Sequence, residues 1–337
     1  MKILYLSCHS VLEYDEAVLF HELGHEVFCN GAYLNPRGHY SLPRPSLPTK
    51  YYPKLAKLAR EHPKTDLPRE MIEWADVVVI MHTPEILTGN MKLFRELKKP
   101  VIWRSIGQSI PKIEKIVRFY RSEGLKVVRY SPKEQNIPEY AGQDTLIRFY
   151  KDPSEFKSWN GKNKQVINLT QSLKARRNFC HYEDIIELMN GFDCKVYGTG
   201  NTDLGELNGG QLTFDNMKGA LRDNRVFVYG GSWPAPYTLG LMEAMMTGIP
   251  VVAIGKRTAQ EIDGTSYMNF YEVNEIIEDG VSGFVSDDIE YLKDKIKLLL
   301  ENDSLAHRIS KAGRQRAIEL FGKQKIKKQW EEFLNEI

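Results

Sequence analysis

Short apolar runs and amphipathic stretches alternate along the chain. In the first half Lys2–Leu6, Glu26–Cys29, Asp76–Met81, Val101–Trp103, Lys126–Tyr130 and Thr145–Phe149 read as brief strands, bounded by polar or turn-forming residues. Nearly continuous apolar strands separated by helical patterns suit a parallel sheet covered on both faces, so the pattern predicts a doubly wound α/β domain. The rhythm lapses between Asn35 and Pro68, where Pro43, Pro45, Pro48 and Pro53 punctuate a stretch rich in Tyr and Lys. This predicts a long surface loop with a short helix near Lys54–Arg60. Asp152 to Lys164 is polar and holds Pro153 and Gly161, which marks a linker. Beyond it the alternation resumes, with strands at Val166–Leu169 and Cys194–Tyr197 and helices at Tyr182–Met189 and Phe214–Arg222. The pattern therefore reads as one architecture used twice: a domain over 1–152, a domain over 153–322, and a last amphipathic helix over 323–337 carrying Trp330, Phe333 and Leu334.

The most informative stretch lies in the second domain. Arg225–Tyr229 reads as a buried strand and Ile249–Ile254 as the next, with a loop and one helix between them. Pro236 suits the helix's first turn, and Gly248 suits a left-handed stop with Pro250 just beyond. Among Leu239, Leu241, Met242, Ala244, Met245 and Met246 stands a single charge, Glu243. Burying a carboxylate without partners costs several kcal/mol, so Glu243 must either pair with a local cation or line a cleft. Ligands of parallel sheets sit outside the carboxyl ends of the strands, where this loop and helix begin.

Charge and composition narrow the classes. The chain has 42% apolar and 27% charged residues and no apolar run near the roughly 18 residues of a spanning helix, which reads as a soluble cytoplasmic protein. Cys8, Cys29, Cys180 and Cys194 have no paired spacing, so neither a zinc framework nor a disulfide framework is indicated. Residues 37–133 carry 20 Lys and Arg against 9 Asp and Glu, an asymmetry hidden by the overall charge of +2. A basic first domain leaves open an anionic acceptor, nucleic acid or a peripheral membrane contact beside a plain solvated face.

Two motifs test specific chemistries. His21-Glu22-Leu23-Gly24-His25 matches H-E-x-x-H, but Gly24 reads as a helix stop and His25 as the start of a strand, so the imidazoles would not share a metal. The turn after the first strand is Ser7-Cys8-His9-Ser10, without the glycines a dinucleotide-binding turn needs.

The run Leu239 to Ala253, followed by Glu275-Ile276-Ile277-Glu278-Asp279-Gly280-Val281-Ser282-Gly283, resembles the donor-binding half of the retaining GT-B glycosyltransferases. That family carries two glutamates eight positions apart; Glu243 matches the second, while Ala235 stands where the first belongs. The resemblance implies two Rossmann-like domains facing a cleft. It also implies transfer of a sugar from a nucleoside diphosphate sugar, UDP- or GDP-linked, to an acceptor hydroxyl, with retention of configuration and no metal or other cofactor. No D-x-D metal motif occurs in the chain. Glu243 would then take the donor ribose, and the helix start at Tyr237, Thr238 and Leu239 the diphosphate. Lys174, Arg176 and Arg177 would supply the cations, Arg176 and Arg177 being placed with the chemistry, while Gly198 and Gly200 border the nucleotide. In the first domain His82, after the strand ending at Met81, is the catalytic candidate, with Arg104, Ser105 and Gln108 expected to project beside it. The missing glutamate keeps a second reading open: a noncatalytic or weakened nucleotide-sugar or nucleic-acid binding protein on the same frame, its acceptor if any including modified DNA.

Overall fold

The computed structural model describes residues 1–31, 52–156, 158–256, 261–262, 265–266 and 268–337. The predicted loop is therefore seen only from Tyr52 onward, and its part from Asn35 to Tyr51 lies outside the described residues. The chain divides into two compact units, residues 1–149 with 324–337, and residues 150–323.

In the first unit β1 (Lys2–Leu6), α1 (Ser10–Glu22), β2 (Glu26–Cys29), α2 (Pro53–Glu61), α3 (Arg69–Trp74), β3 (Val77–Met81), α4 (Pro84–Glu96), β4 (Val101–Arg104), α5 (Pro111–Arg121), β5 (Lys126–Arg129) and β6 (Thr145–Leu146) follow in order. The six strands form one parallel sheet, β2-β1-β3-β4-β5-β6, with Ile3 beside Val77 and Ile80 beside Trp103. Pro84 and Pro111 open α4 and α5 at first-turn positions, where a missing N–H costs nothing. The core gathers Leu4, Val78, Ile80, Trp103 and Val127, all essentially buried. β6 ends sooner than the apolar run Thr145–Phe149 suggests, because the Ile147 carbonyl is taken by the Arg104 guanidinium at 2.6 Å.

The second unit runs β7 (Asn163–Leu169), α6 (Arg177–Cys180), α7 (Tyr182–Met189), β8 (Cys194–Tyr197), β9 (Asn208–Gly210), α8 (Phe214–Asp223), β10 (Asn224–Tyr229), α9 (Leu239–Thr247) and β11 (Val251–Ile254). A short antiparallel ribbon of β12 (Glu261–Ile262) and β13 (Thr265–Ser266) follows, then α10 (Val273–Ile276), β14 (Phe284–Ser286), α11 (Ile289–Glu301) and α12 (Asp303–Phe321). α13 (Lys323–Asn335) ends the chain, and from Gln324 it belongs to the first unit, where Trp330 meets Phe20 edge to face at 5.0 Å between centroids. The second sheet is also parallel, in the order β14-β11-β10-β7-β8-β9. Its strand order reverses between β7 and β10, since the chain leaves β7 toward β8 on one side and returns to β10 on the other. The loops after those two strands diverge there, which opens the crevice in which open α/β sheets bind ligands.

Candidate functional site

Three loops at the carboxyl end of the second sheet build the site. The loop after β7 and the turn after β8 are stapled together: Thr170 donates its N–H to the Tyr197 carbonyl at 3.1 Å and Ser172 to that of Thr199 at 2.8 Å. Asn201, buried, accepts the Leu173 N–H at 2.8 Å and donates to the Thr170 carbonyl at 2.7 Å. Gly198 and Gly200 allow this approach. Both have positive φ, and a Cβ on Gly198 would stand 2.6 Å from the Thr170 carbonyl oxygen, one on Gly200 2.3 Å from Ser172 Oγ. These two glycines therefore shape the loops. Asn201, which the sequence reading passed over, locks them.

The loop after β10 joins this platform at the switch point. Arg176 donates from Nη2 to Ser232 Oγ at 2.9 Å, and the Trp233 N–H donates to the Phe179 carbonyl at 2.8 Å. The helix start lies beyond Pro236: Thr238 is the extended N-cap residue and α9 begins at Leu239. The start is displaced because the Thr238 N–H is taken by the Tyr229 hydroxyl at 3.0 Å, which also donates to Thr238 Oγ1 at 3.2 Å. Burial raises the Tyr229 phenol pKa well above its ordinary value, so it stays protonated and able to make both bonds. Thr238, Leu239 and Gly240 are only half-buried, and Thr238 makes no side-chain cap bond. The first amide groups of α9 thus stay open to a ligand, at the end of the helix that favours anions.

The far end of α9 is fixed. Gly248 ends the helix in a left-handed conformation at φ 91°, and Arg314 donates to the Met246 carbonyl and, at 2.8 and 2.9 Å, to those of Phe156 and Pro153. Between the two ends Glu243, 8% exposed, makes an ion pair at 2.9 Å with Lys151 Nζ, itself 1% exposed. Lys151 is a site residue that the sequence reading missed, since a lysine 92 positions away carries no local signal. The Asp279-Gly280-Val281-Ser282-Gly283 loop is a closed turn. Asp279 accepts the Val285 N–H at 2.9 Å and the Tyr291 hydroxyl at 2.8 Å, and a Cβ on Gly283 would press on Val251 and Ile277.

The other sequence candidates separate. Lys174 is exposed, on the same loop as Arg176, and makes no ion pair among the described residues. Arg177 turns to Glu183 instead, with its guanidinium 5.7 Å from the Tyr182 ring centroid. Tyr237 is buried against Phe321, 5.3 Å between centroids. It packs the interior and presents no side chain to the helix mouth.

His82 belongs to the first unit. Its backbone is left-handed at φ 46°, its ring tilts against Trp103 at 5.6 Å, and Nδ1 has no hydrogen-bond partner among the described residues. Burial lowers its pKa to about 4, against an opposing hydrogen bond to the Gln108 backbone, so the imidazole is neutral at pH 7. Between pH 6.5 and about 4 the unfolded chain then binds the extra proton, and stability should fall as pH drops through that window. His82→Gln is expected to flatten that slope in urea denaturations at pH 7, 5.5 and 4.5; an unchanged slope would place the proton uptake elsewhere. Arg104 and Ser105 correct the expectation that they project beside His82. Both are fully buried, Arg104 paired with Glu16 at 2.8 Å and Ser105 donating to Glu134 at 2.8 Å. Their polarity serves an internal network. His21 lies in α1 and His25 outside it, just before β2, with Gly24 left-handed between them at φ 82°.

No helix among the described residues is long and apolar enough to cross a membrane. No protein-family model matches the chain, and no curated protein matches it. Solved structures do match over the whole length. The complex of Anabaena Alr3699/HepE with UDP-glucose has 16% identity, covers 100% of both chains and superposes with a TM-score of 0.67. A glycosyltransferase from Rickettsia africae has 14% identity over 99% of this chain and 98% of its own, with a TM-score of 0.65. WaaG, a glycosyltransferase involved in lipopolysaccharide biosynthesis, has 9% identity over 98% and 99%, with a TM-score of 0.54. Such identities speak for architecture alone. With its two parallel sheets, and with a full-length likeness to these structures, the chain has the two-domain α/β fold of the GT-B glycosyltransferases.

Proposed function

We propose that the protein transfers a sugar from a nucleoside diphosphate sugar, UDP-linked in the first instance, to an acceptor hydroxyl, with retention of configuration and without a metal. The observation that carries the reading is the open N-terminus of α9 at the switch point of the second sheet, with Arg176 bonded to Ser232 in the loop that leads into that helix. Amide dipoles and a guanidinium suit the negative charge that gathers on a departing diphosphate. In the reaction the bond between the anomeric carbon and the diphosphate oxygen breaks, and the acceptor oxygen bonds to that carbon on the same face. The acceptor's proton passes to the leaving phosphate oxygen. Arg176 is the residue we assign to that phosphate, and Glu243 to the ribose hydroxyls. Support for the uridine donor comes from HepE, whose structures hold UDP-glucose, UDP, and UDP with glucose. His82 enters as a neutral hydrogen-bonding group.

A panel of UDP-, GDP-, ADP- and CDP-sugars with their bare diphosphates, run by thermal shift in the presence of EDTA, tests the donor site. Ligand at 100 times its dissociation constant should stabilise the fold by about 2.7 kcal/mol. Arg176→Ala is expected to weaken the bound diphosphate about tenfold or more, on the scale of one charge-assisted contact. Arg177→Ala, with its guanidinium held by Glu183, should leave it unchanged. Release of the diphosphate on adding glycan acceptors separates transfer from binding alone, which the absence of a glutamate at Ala235 makes the competing reading. No shift with any donor would remove the proposal.

A further inference from the structure

We propose that Trp233 and Phe179 form a stacking platform for the donor's sugar ring and stand in for the carboxylate that Ala235 lacks; this rests on the donor site proposed above. Ala235 offers only a methyl group, so sugar hydroxyls find no acceptor there. Two residues before it, Trp233 is half-buried, and Phe179 exposes 43% of its surface beside it. The rings lie 5.7 Å apart at 36°, and the backbone bond from the Trp233 N–H to the Phe179 carbonyl, 2.8 Å, ties the two segments together. One ring comes from the loop after β10 and the other from α6, at the end of the segment that follows β7. The pair therefore flanks the switch point. Ser232, next to Trp233, holds Arg176, so cation, hydroxyl and rings are contiguous.

The direction of the donor fixes which part of it meets the rings. An α-helix rises about 1.5 Å per residue, so Glu243 sits about one turn deeper than the first amides of α9. With the ribose at Glu243 and the diphosphate at those amides, the sugar extends the opposite way, over residues 232–235. A pyranose presents a face of C–H groups, which packs against the electron-rich face of an aromatic ring and loses little by leaving water. The platform thus selects a pyranose by its flat C–H face.

Calorimetric titration of each bare diphosphate against its sugar, UDP with UDP-glucose and GDP with GDP-mannose, isolates the sugar's share of affinity. In Trp233→Ala that share is expected to fall about three- to tenfold, while the bare diphosphate binds as in the unaltered protein. Trp233→Phe should recover most of it, and Phe179→Ala should lose part. An unchanged sugar share in both alanine variants overturns the platform. So does a parallel loss of bare diphosphate, which would mean that Trp233 merely holds the loop. Failure of the unaltered protein to bind either diphosphate would fall on the donor site itself and take the platform with it.

Discussion

Glu243→Ala is expected to lower stability by about 3–5 kcal/mol and to remove the response to nucleotide. The first effect follows from Lys151, whose ammonium, 1% exposed, would be left without its 2.9 Å carboxylate partner. Removing one member of a buried pair takes a close counter-charge from the other, and that lost compensation accounts for most of the cost. The second effect follows from the proposed ribose contact. The two are separated by the double variant Lys151→Met with Glu243→Met, in which both members of the 2.9 Å pair are replaced together. It should regain most of the lost stability, because apolar replacement of a buried pair is often close to neutral. It should remain unresponsive to nucleotide. Urea denaturation with and without UDP reads both. A double variant that recovers the nucleotide response would show that Glu243 is only a structural partner of Lys151. One that stays as unstable as the single variant would mean that the pair contributes more than the lost counter-charge.

This pair marks where the sequence stops being legible. The six strands of the first sheet, four of the six in the second and the helices Tyr182–Met189 and Phe214–Arg222 follow from local patterns, and the structure places them within a few residues of the predicted ends, whereas the edge strands β9 and β14 were not foreseen. Apolar periodicity is a local property, so it is readable locally. Glu243 was also legible as an anomaly, one charge in an apolar helix. Its partner was not, because an ion pair across 92 residues depends on tertiary packing alone. Arg104 and Ser105 failed for the same reason. Their place after a strand suggested exposure, yet acids on α1 and beyond β5 draw them inward. Helices α11 and α12 went unassigned in the sequence reading, though each has a side-chain cap, from Asp288 and Asn302. The helix start at Leu239 rather than Pro236 turns on one phenol, Tyr229, nine positions before Thr238.

Arg129→Met should be the most damaging change in the first unit, costing about 3–5 kcal/mol at neutral pH and less in mild acid. Arg129 binds Glu114 in a two-pronged pair at 2.7 and 2.8 Å and reaches Glu134 at 3.5 Å, with all three side chains fully buried. Removing it leaves two carboxylates in the interior. Burial pushes the Glu114 carboxyl up, but the Arg129 hydrogen bonds and charge outweigh it and hold the group below its ordinary 4.5. That contribution is present above the unfolded value and is lost as pH falls through the lower folded one. Burial raises Glu134 despite Arg129, so its contribution to stability runs the other way and declines as pH rises above 4.5. Without the guanidinium, burial dominates at both sites and both folded carboxyls titrate above 4.5. At these two sites the variant then binds more protons folded than unfolded, which lowers its stability relative to the unaltered protein as pH rises from 5 to 8. The deficit relative to the unaltered protein should therefore widen with pH across that interval. Urea denaturation at pH 5, 6.5 and 8 measures it. A deficit that stays constant over the series would mean that neither carboxylate depends on Arg129 for its charge.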